Sequence, residues 1–511
     1  MQASAKELVR SALEHGFSAA ETELDPRSPA SRNIAVVLLD LFEPLLVLNS
    51  RNKIIGGGAE AFSLSDDGLH WTIKLKRDRY WSDGVPVTAG DYVYSLSTAY
   101  SMSEDGSTFS YTIVGKGDHQ TGPVGIHALD DHTLQVDIKV PFSLPKQVFS
   151  FAFFSPLPRH VAPADGSIAW SKWPQKVSNG PYRLTAFEGN MVELALNPHY
   201  ADHPPGAFES VRYVSQSWNE AAQDLLEGRL GVVVGIPNHQ LDFFVDGGAR
   251  HVFEDSQTYI FLTLNTLKEG LSDIRVRRAL SLALNRPELV EWLTQNQADP
   301  ATFLLPEAPP DFMPIPYEDA LNEAQALMRQ AGYDENRRLK LRVSGQDADI
   351  NERLVTILTE YWSRIHVDVE TDFSITNAAT WFQSIDQGEF EVGLMTRTPA
   401  LQSPLGFLSY CLNLNADVGD PYCGYFYDPE FNDIILSLRS LQSNTTAIAH
   451  ELKAARRLDD ATPIIILLRY RNPIGLGSDI CVAADNLRNV FPVSSNFTPR
   501  DAVKSVACLP E

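Results

Sequence analysis

Apolar residues recur along the chain in two rhythms. From Phe62 to Leu75 they alternate with polar residues on either side of Asp67 and Gly68, which predicts two strands joined by a hairpin. Thr133 to Val140 and Met191 to Leu196 alternate in the same way and read as strands. Tyr259 to Asn265 is a continuous apolar run of strand length. Trp218 to Glu227, Leu321 to Ala331 and Glu352 to Ile365 instead carry apolar residues at three- and four-residue steps, the period of a helix with one buried face. Asp273 can cap a further helix in which Val276, Ala279, Leu280, Leu282 and Ala283 make the apolar stripe. Trp81 to Gly84 supplies a turn, and Thr88 to Asp91 the cap of a helix over Tyr92 to Tyr100. Ile34 to Leu39 and Ile464 to Leu468 read as buried strands, and Val367 to Thr371 as another. No apolar run approaches the roughly 20 residues needed to span a bilayer.

Helices and strands alternate through the second half, which points to an α/β layer, whereas the hairpin-rich stretch before residue 180 points to a separate β-dominated unit. At 511 residues the chain exceeds what one core usually supports, so two or more domains are expected. Hydrophobic residues at 44% and charged residues at 21% are those of a globular protein. Lys and Arg number 42 against 65 Asp and Glu, a net charge of −23. A field of that sign repels phosphate backbones and anionic lipid, so nucleic acid is an unlikely partner. The densest basic cluster, Arg275, Arg277 and Arg278, reads as a solvated helix face.

Searching for chemistry returns little. There is no Gly-x-Ser-x-Gly elbow, no phosphate-binding Gly-rich loop ending in Lys-Ser/Thr and no His-Glu-x-x-His. His199 and His203 have metal-ligand spacing for a helix, but Pro198, Pro204 and Pro205 around them disfavour one. The doublets Asp66 with Asp67 and Asp130 with Asp131 sit at turns and read as solvated. No cofactor, metal or catalytic residue is implied. Four cysteines, Cys411, Cys423, Cys481 and Cys508, permit three pairings between which sequence cannot choose. Pairing of sequence neighbours would make two local staples in an oxidising compartment, and four reduced thiols is the alternative. Met1 to Lys6 shows no signal peptide, leaving a cytosolic protein or a mature form with a new initiator methionine.

Six segments, in order, carry a resemblance. They are Leu24-Asp25-Pro26 with Asp40 to Leu45; Trp71 to Leu75 continuing through Trp81 to Ser95; Asn179 to Leu184 with Asn197 to Tyr200; Leu264-Asn265 with Asp273 to Leu280 and Ala283 to Arg286; Ala331-Gly332-Tyr333; and Tyr427 to Asn432. Together they resemble the family-5 solute-binding proteins, the peptide- and nickel-type receptors of ABC importers. The resemblance implies an α/β, periplasmic-binding-protein-like fold of two lobes (type II, cluster C), with an extra β-rich domain inserted in the first lobe. It places the first lobe at 1–48, 178–258 and 472–511, the extra domain at 49–177 and the second lobe at 259–471.

The same resemblance implies a monomer at the periplasm or extracellular face that captures a small or peptide-like ligand and delivers it to ABC permease subunits. In peptide-binding members a carboxylate holds the ligand's α-ammonium, because a buried cation needs a counter-charge. That position falls at Ala400, and no Asp or Glu lies between Glu391 and Asp417, which argues against plain peptides. Arg32 lies in a loop that faces ligand in the family, and Arg397 stands where relatives often have an aromatic. Two guanidiniums would suit a carboxylate or phosphate. Trp218, Tyr259, Trp381 and Tyr470 border the cleft in relatives and could wall the ligand. Two other classes stay open: a cytosolic ligand sensor on the same fold, distinguished by free thiols, and an enzyme with a site assembled from distant residues, distinguished by ligand turnover.

Overall fold

The computed structural model describes residues 7–12, 23–27, 32–48, 54–102, 113–114, 124–139, 146–163, 166, 168–203, 207–234, 236, 241–254, 258–294, 298–304, 315–346, 349–375, 378–397, 404–412, 419–440, 444–478, 480–482 and 497–499. The chain divides into two units, Met1–Asp255 with Asn472–Glu511, and Ser256–Arg471.

In the first unit a seven-stranded sheet runs in the order Arg250–Glu254, Asn472–Leu476, Val232–Val234, Glu7–Ala12, Ser210–Ser215, Met191–Leu196, Tyr182–Glu188. Glu7–Ala12 is parallel to both neighbours and the other pairs are antiparallel. The expected hairpin forms between Ala59–Leu64 and His70–Leu75, with the Asp67 carboxylate accepting from the Leu69 amide at 3.0 Å. It belongs to a four-stranded antiparallel sheet completed by Thr133–Asp137 and Ile126–Asp130. Asp130 likewise accepts from the His132 amide and the Thr133 hydroxyl, so both Asp doublets build turns.

One expectation is overturned here. Ile34 to Leu39 is not a strand but part of the helix Arg32–Leu41, which buries Ile34, Val37, Leu38 and Leu41. A short apolar run is compatible with a buried helix as well as a buried strand, and periodicity alone cannot separate them.

Three of the stretches behind the family resemblance, Asp40 to Leu45, Asn179 to Leu184 and Asn197 to Tyr200, meet at one buried polar centre in this unit. Glu43 and Arg79, each 4% exposed or less, pair at 2.7 Å, and the Arg79 guanidinium also bonds Asp78 and Asp202. Tyr200 donates to the other Glu43 oxygen at 3.0 Å. Asn179 grips the Glu43 backbone from both sides, accepting from its amide and donating to its carbonyl, each at 3.2 Å. Gly180 follows because its backbone lies against Leu41 and Phe42: an added Cβ would come within 2.5 Å of the Leu41 carbonyl carbon. Asp25 and Arg27 form a second buried pair, with Asp25 also accepting from the Trp170 amide at 3.0 Å. These motifs are scaffold, since a buried charge requires every listener around it to be in place.

The second unit is built on a six-stranded sheet in the order Ala298–Pro300, Ile464–Tyr470, Tyr259–Leu264, Val392–Arg397, Leu339–Gln346, Val367–Ile375. Every residue of Tyr259–Leu264 is buried, which accounts for a continuous apolar run rather than an alternating one. Helix Ile274–Leu282 is capped by Asp273, and Val276, Ala279 and Leu280 enter the core beside Trp362, whose indole donates to the Leu280 carbonyl at 3.0 Å. The basic cluster on this helix is only partly solvated. Arg275 pairs with Asp273 and Arg278 is exposed, but Arg277 is buried and donates to the carbonyls of Leu271, Ser272, Ala461 and Thr462. A guanidinium has five donors, enough to tie two chain turns at once, which a count of charges cannot reveal.

Candidate ligand-binding site

Strand Val392–Arg397 passes through the buried sheet of the second unit, paired with Tyr259–Leu264, and ends on Arg397 opposite Tyr259. Three elements bring rings to that end. Helix Ala378–Asp386 contributes Phe382, the short turn Ser409–Cys411 contributes Tyr410 and the turn Pro421–Cys423 contributes Tyr422. The Arg397 guanidinium carbon lies 4.4 Å from the Phe382 ring centre, 4.6 Å from that of Tyr422 and 5.6 Å from that of Tyr410. Each such contact contributes about 0.5–2 kcal/mol, more as water is excluded.

The carboxylates nearby hold back from Arg397. Phe382 and Asp386 stand four residues apart and therefore share a helix face. Asp386 bonds the Tyr422 hydroxyl, whose pKa is raised first by burial and then by that carboxylate, while Arg397 opposes. Asp420 accepts from the Tyr422 amide at 2.9 Å and caps its turn. Burial pushes the Asp420 carboxyl up to about 6, the Asp386 charge adds to this, and the Tyr422 amide and Arg397 oppose it. Among the described residues Arg397 is in no ion pair; its recorded neighbours are rings and a phenol. Beyond its hydrogen bond with the Tyr422 hydroxyl, a guanidinium with five N–H donors has donors to spare for a ligand, and a planar carboxylate or a phosphate fits them best.

A protonated Asp420 is the form this fold prefers, so its contribution to stability is complete below the ordinary carboxylate range near 4 and is lost as pH rises through about 6. We expect Asp420→Asn, which keeps the oxygen that accepts from Tyr422, to gain about 2 kcal/mol at pH 7.5. At pH 3, where the unfolded carboxyl is protonated as well, it should gain almost nothing. Urea denaturation at both values checks this, and equal gains at the two would count against the burial cause.

The other residues singled out by sequence are placed as follows. Tyr259 is 1% exposed, with its hydroxyl donating to the Leu304 carbonyl at 2.9 Å and its ring edge-on to Phe407. Trp381 points into the core from the helix whose next residue, Phe382, meets Arg397. Tyr470 is half-buried at a strand end in the same unit, its hydroxyl pushed up to about 12 by burial. In the first unit Trp218 opens helix Trp218–Leu226 behind a capping box of Ser217 and Glu220, half-buried and edge-on to Phe243. Arg32 begins helix Arg32–Leu41; its side chain, like Ala400, Cys508 and the side chain of Cys481, lies outside the described residues. Cys411 and Cys423 form a disulfide.

Of the expected set the structure therefore brings Arg397 to rings that sequence reasoning did not name: Phe382, Tyr410 and Tyr422, with Asp386 and Asp420 behind them. One signal was available, since Tyr410 and Tyr422 each directly precede a cysteine. His203 bonds the Asn197 carbonyl from a loop, and among the described residues no group of three or more His, Cys, Asp or Glu is arranged to hold a metal. No helix among them is long and apolar enough to cross a membrane.

Comparison with known proteins gives a coherent picture. The model of the bacterial extracellular solute-binding proteins, family 5 Middle, matches residues 53–417. The periplasmic murein peptide-binding protein MppA of Escherichia coli is 25% identical over 492 residues, which cover 92% of this chain and 89% of that protein. The periplasmic oligopeptide-binding protein OppA of Salmonella typhimurium is 25% identical over 472 residues, 88% of this chain and 85% of its own. Among solved structures, the unliganded open form of the murein tripeptide-binding protein MppA matches with a TM-score of 0.81 at 22% identity, covering 98% of both chains. That likeness establishes the fold as the two-lobed, type II periplasmic-binding-protein architecture.

Proposed function

Because the chain belongs to the bacterial extracellular solute-binding proteins of family 5, we propose that it captures a peptide-like or anionic small molecule and delivers it to an ABC permease without chemical change. The observation that carries the ligand class is Arg397, half-buried among Phe382, Tyr410 and Tyr422 and without an ion-pair partner among the described residues. A carboxylate or phosphate meeting that guanidinium would gain charge-assisted, two-pronged hydrogen bonds, and the rings would cover its apolar part. Relatives named for murein peptides and oligopeptides support a peptide-like frame. The absence of an acidic residue at Ala400 favours a ligand whose amine is blocked or missing over a plain peptide.

We also propose a working place at the periplasm or the extracellular face, as a monomer beside its permease, a reading that the periplasmic relatives support. The Cys411–Cys423 disulfide fits an oxidising compartment rather than the cytosolic-sensor alternative. Within the first unit, residues 49–177 form the extra domain of this proposal, the stretch that contains the four-stranded antiparallel sheet. Arg32, Trp218, Tyr259, Trp381 and Tyr470 remain proposed ligand neighbours, with Arg397 the principal one.

Native mass spectrometry of the purified protein, followed by denaturation and identification of what is released, tests the proposal. We expect one equivalent of a small molecule carrying a carboxylate or phosphate. A ligand at 100 times its Kd should add about 2.7 kcal/mol of stability. An empty protein that shows no thermal shift with blocked peptides, opines or sugar phosphates would reject it.

A further inference from the structure

Tyr410 and Tyr422 reach Arg397 from two separate turns, and each sits one residue before a half of the Cys411–Cys423 disulfide. The two turns are anchored differently. The Pro421–Cys423 turn is tied to the sheet by hydrogen bonds: Thr263 donates to the Pro421 carbonyl at 3.3 Å, the Thr266 hydroxyl to the Gly424 carbonyl at 2.6 Å and the Thr266 amide to the same oxygen at 3.2 Å. Gly424, at φ 61°, lies so close to the backbone that an added Cβ would come within 2.2 Å of the Leu264 carbonyl oxygen. The Ser409–Cys411 turn follows helix Pro404–Leu408, whose Leu405 backbone bonds the Glu451 carboxylate, and Leu405, Phe407 and Leu408 of that helix are buried in the core. Apolar packing is non-directional, so it fixes the orientation of a neighbouring side chain less firmly than hydrogen bonds do. The disulfide transfers the fixed position of one turn to the other.

We propose that the Cys411–Cys423 disulfide is a positioning element of the Arg397 site, holding the Tyr410 and Tyr422 rings on the guanidinium, so that affinity for an anionic ligand depends on the oxidation state of this pair. The affinity part rests on Arg397 being the ligand's anion contact; the ring-holding part does not. Reduction by a dithiol such as dithiothreitol breaks the S–S bond, takes two electrons and two protons into two thiols, and leaves the reductant as its cyclic disulfide. Tyr422 then keeps its place through the Pro421–Cys423 anchors, while Tyr410 moves off Arg397.

The test reads the side-chain Nε–Hε resonance of Arg397 in isotope-labelled full-length protein, assigned with Arg397→Lys. Rings stacked on a guanidinium shield its proton, so the resonance is expected well upfield of free arginine. On reduction, and in Cys411→Ala/Cys423→Ala, it should move part of the way back toward the free value, because Tyr410, the most distant of the three rings, leaves while Phe382 and Tyr422 stay. The methyl resonances of Ile465, Leu467 and Leu358, buried in the other core of the unit, should stay in place. N-acetyl-trialanine, a carboxylate with no free amine, is titrated in parallel; its Kd should rise about tenfold on reduction, and reduction should have no effect in Arg397→Ala. An Arg397 resonance unmoved by reduction overturns the proposal, as does collapse of the core methyls, which would make the disulfide a support of the whole unit. A resonance that moves while the oxidised protein ignores the peptide upholds the ring-holding role and counts against the anion reading instead.

Discussion

Replacing Arg79 with Met is expected to destabilise the unit Met1–Asp255 with Asn472–Glu511 by about 4 kcal/mol, because it strands a buried charge rather than merely deleting a contact. Glu43 is 3% exposed, and burial already raises its carboxyl pKa. The Arg79 charge is the largest effect opposing that rise, followed by Lys76 and the Tyr200 hydroxyl. Without Arg79 the carboxyl pKa climbs further, and the sign of the pH dependence follows. A folded-state pKa raised above its unfolded value favours folding at low pH and loses that advantage as pH rises through it. The deficit of Arg79→Met should therefore be larger at pH 8 than at pH 5. Adding Glu43→Gln should recover part of it, since a neutral amide is cheaper to bury than an unpaired carboxylate. Urea denaturation of the two variants at both pH values decides the matter; a deficit under about 1 kcal/mol would show the pair to be dispensable.

Arg397→Ala is expected to weaken the co-purified anionic ligand on the order of 50-fold, as the loss of hydrogen bonds to a charged group of about 1.5–3 kcal/mol implies. Arg397→Lys keeps the charge but loses the flat face that stacks on Phe382 and Tyr422 and the paired donors, and should fall between the two. The effect should shrink with added salt for Lys more than for Arg, because a point charge held at longer range is screened more readily. Isothermal titration in low and high salt checks this. Wild-type affinity in both variants would remove Arg397 from the site.

These two residues were legible in the sequence to different degrees. Arg79 stands in the stretch between the Trp71 to Leu75 and Trp81 to Ser95 strings, yet nothing in its spacing names Glu43, which lies 36 residues earlier. The strings marking the family were recognisable because a buried polar centre constrains each residue that meets it: Asn179 for its two-sided grip on Glu43, Gly180 for its approach to Leu41, Tyr200 for its hydroxyl. Local period also served well where one face is buried, as in the Asp67 hairpin and helix Ile274–Leu282. It misled at Ile34 to Leu39, where a run buried on most sides carries no period at all.

Arg397 was singled out by its place in the family pattern, but its surroundings were not. Trp381 and Phe382 are adjacent aromatics, and only the rotation of their helix decides that the first enters the core and the second meets the guanidinium. Likewise Arg277 looked like one of three equivalent surface cations until the turn at Ala461 and Thr462 was seen to hang on it.

By itself, then, the sequence determined the family, the two-lobed α/β architecture and a role in binding a solute, because these rest on many local constraints that each leave a residue in the text. Only the tertiary structure decided which rings close on Arg397, that Asp386 and Asp420 stay off it, and that Cys411 and Cys423 join the turns carrying Tyr410 and Tyr422. Those contacts join residues up to 40 positions apart, such as Phe382 and Tyr422, through the packing of elements on one sheet. Packing is set by the shape of the whole core, and no short stretch of sequence encodes it.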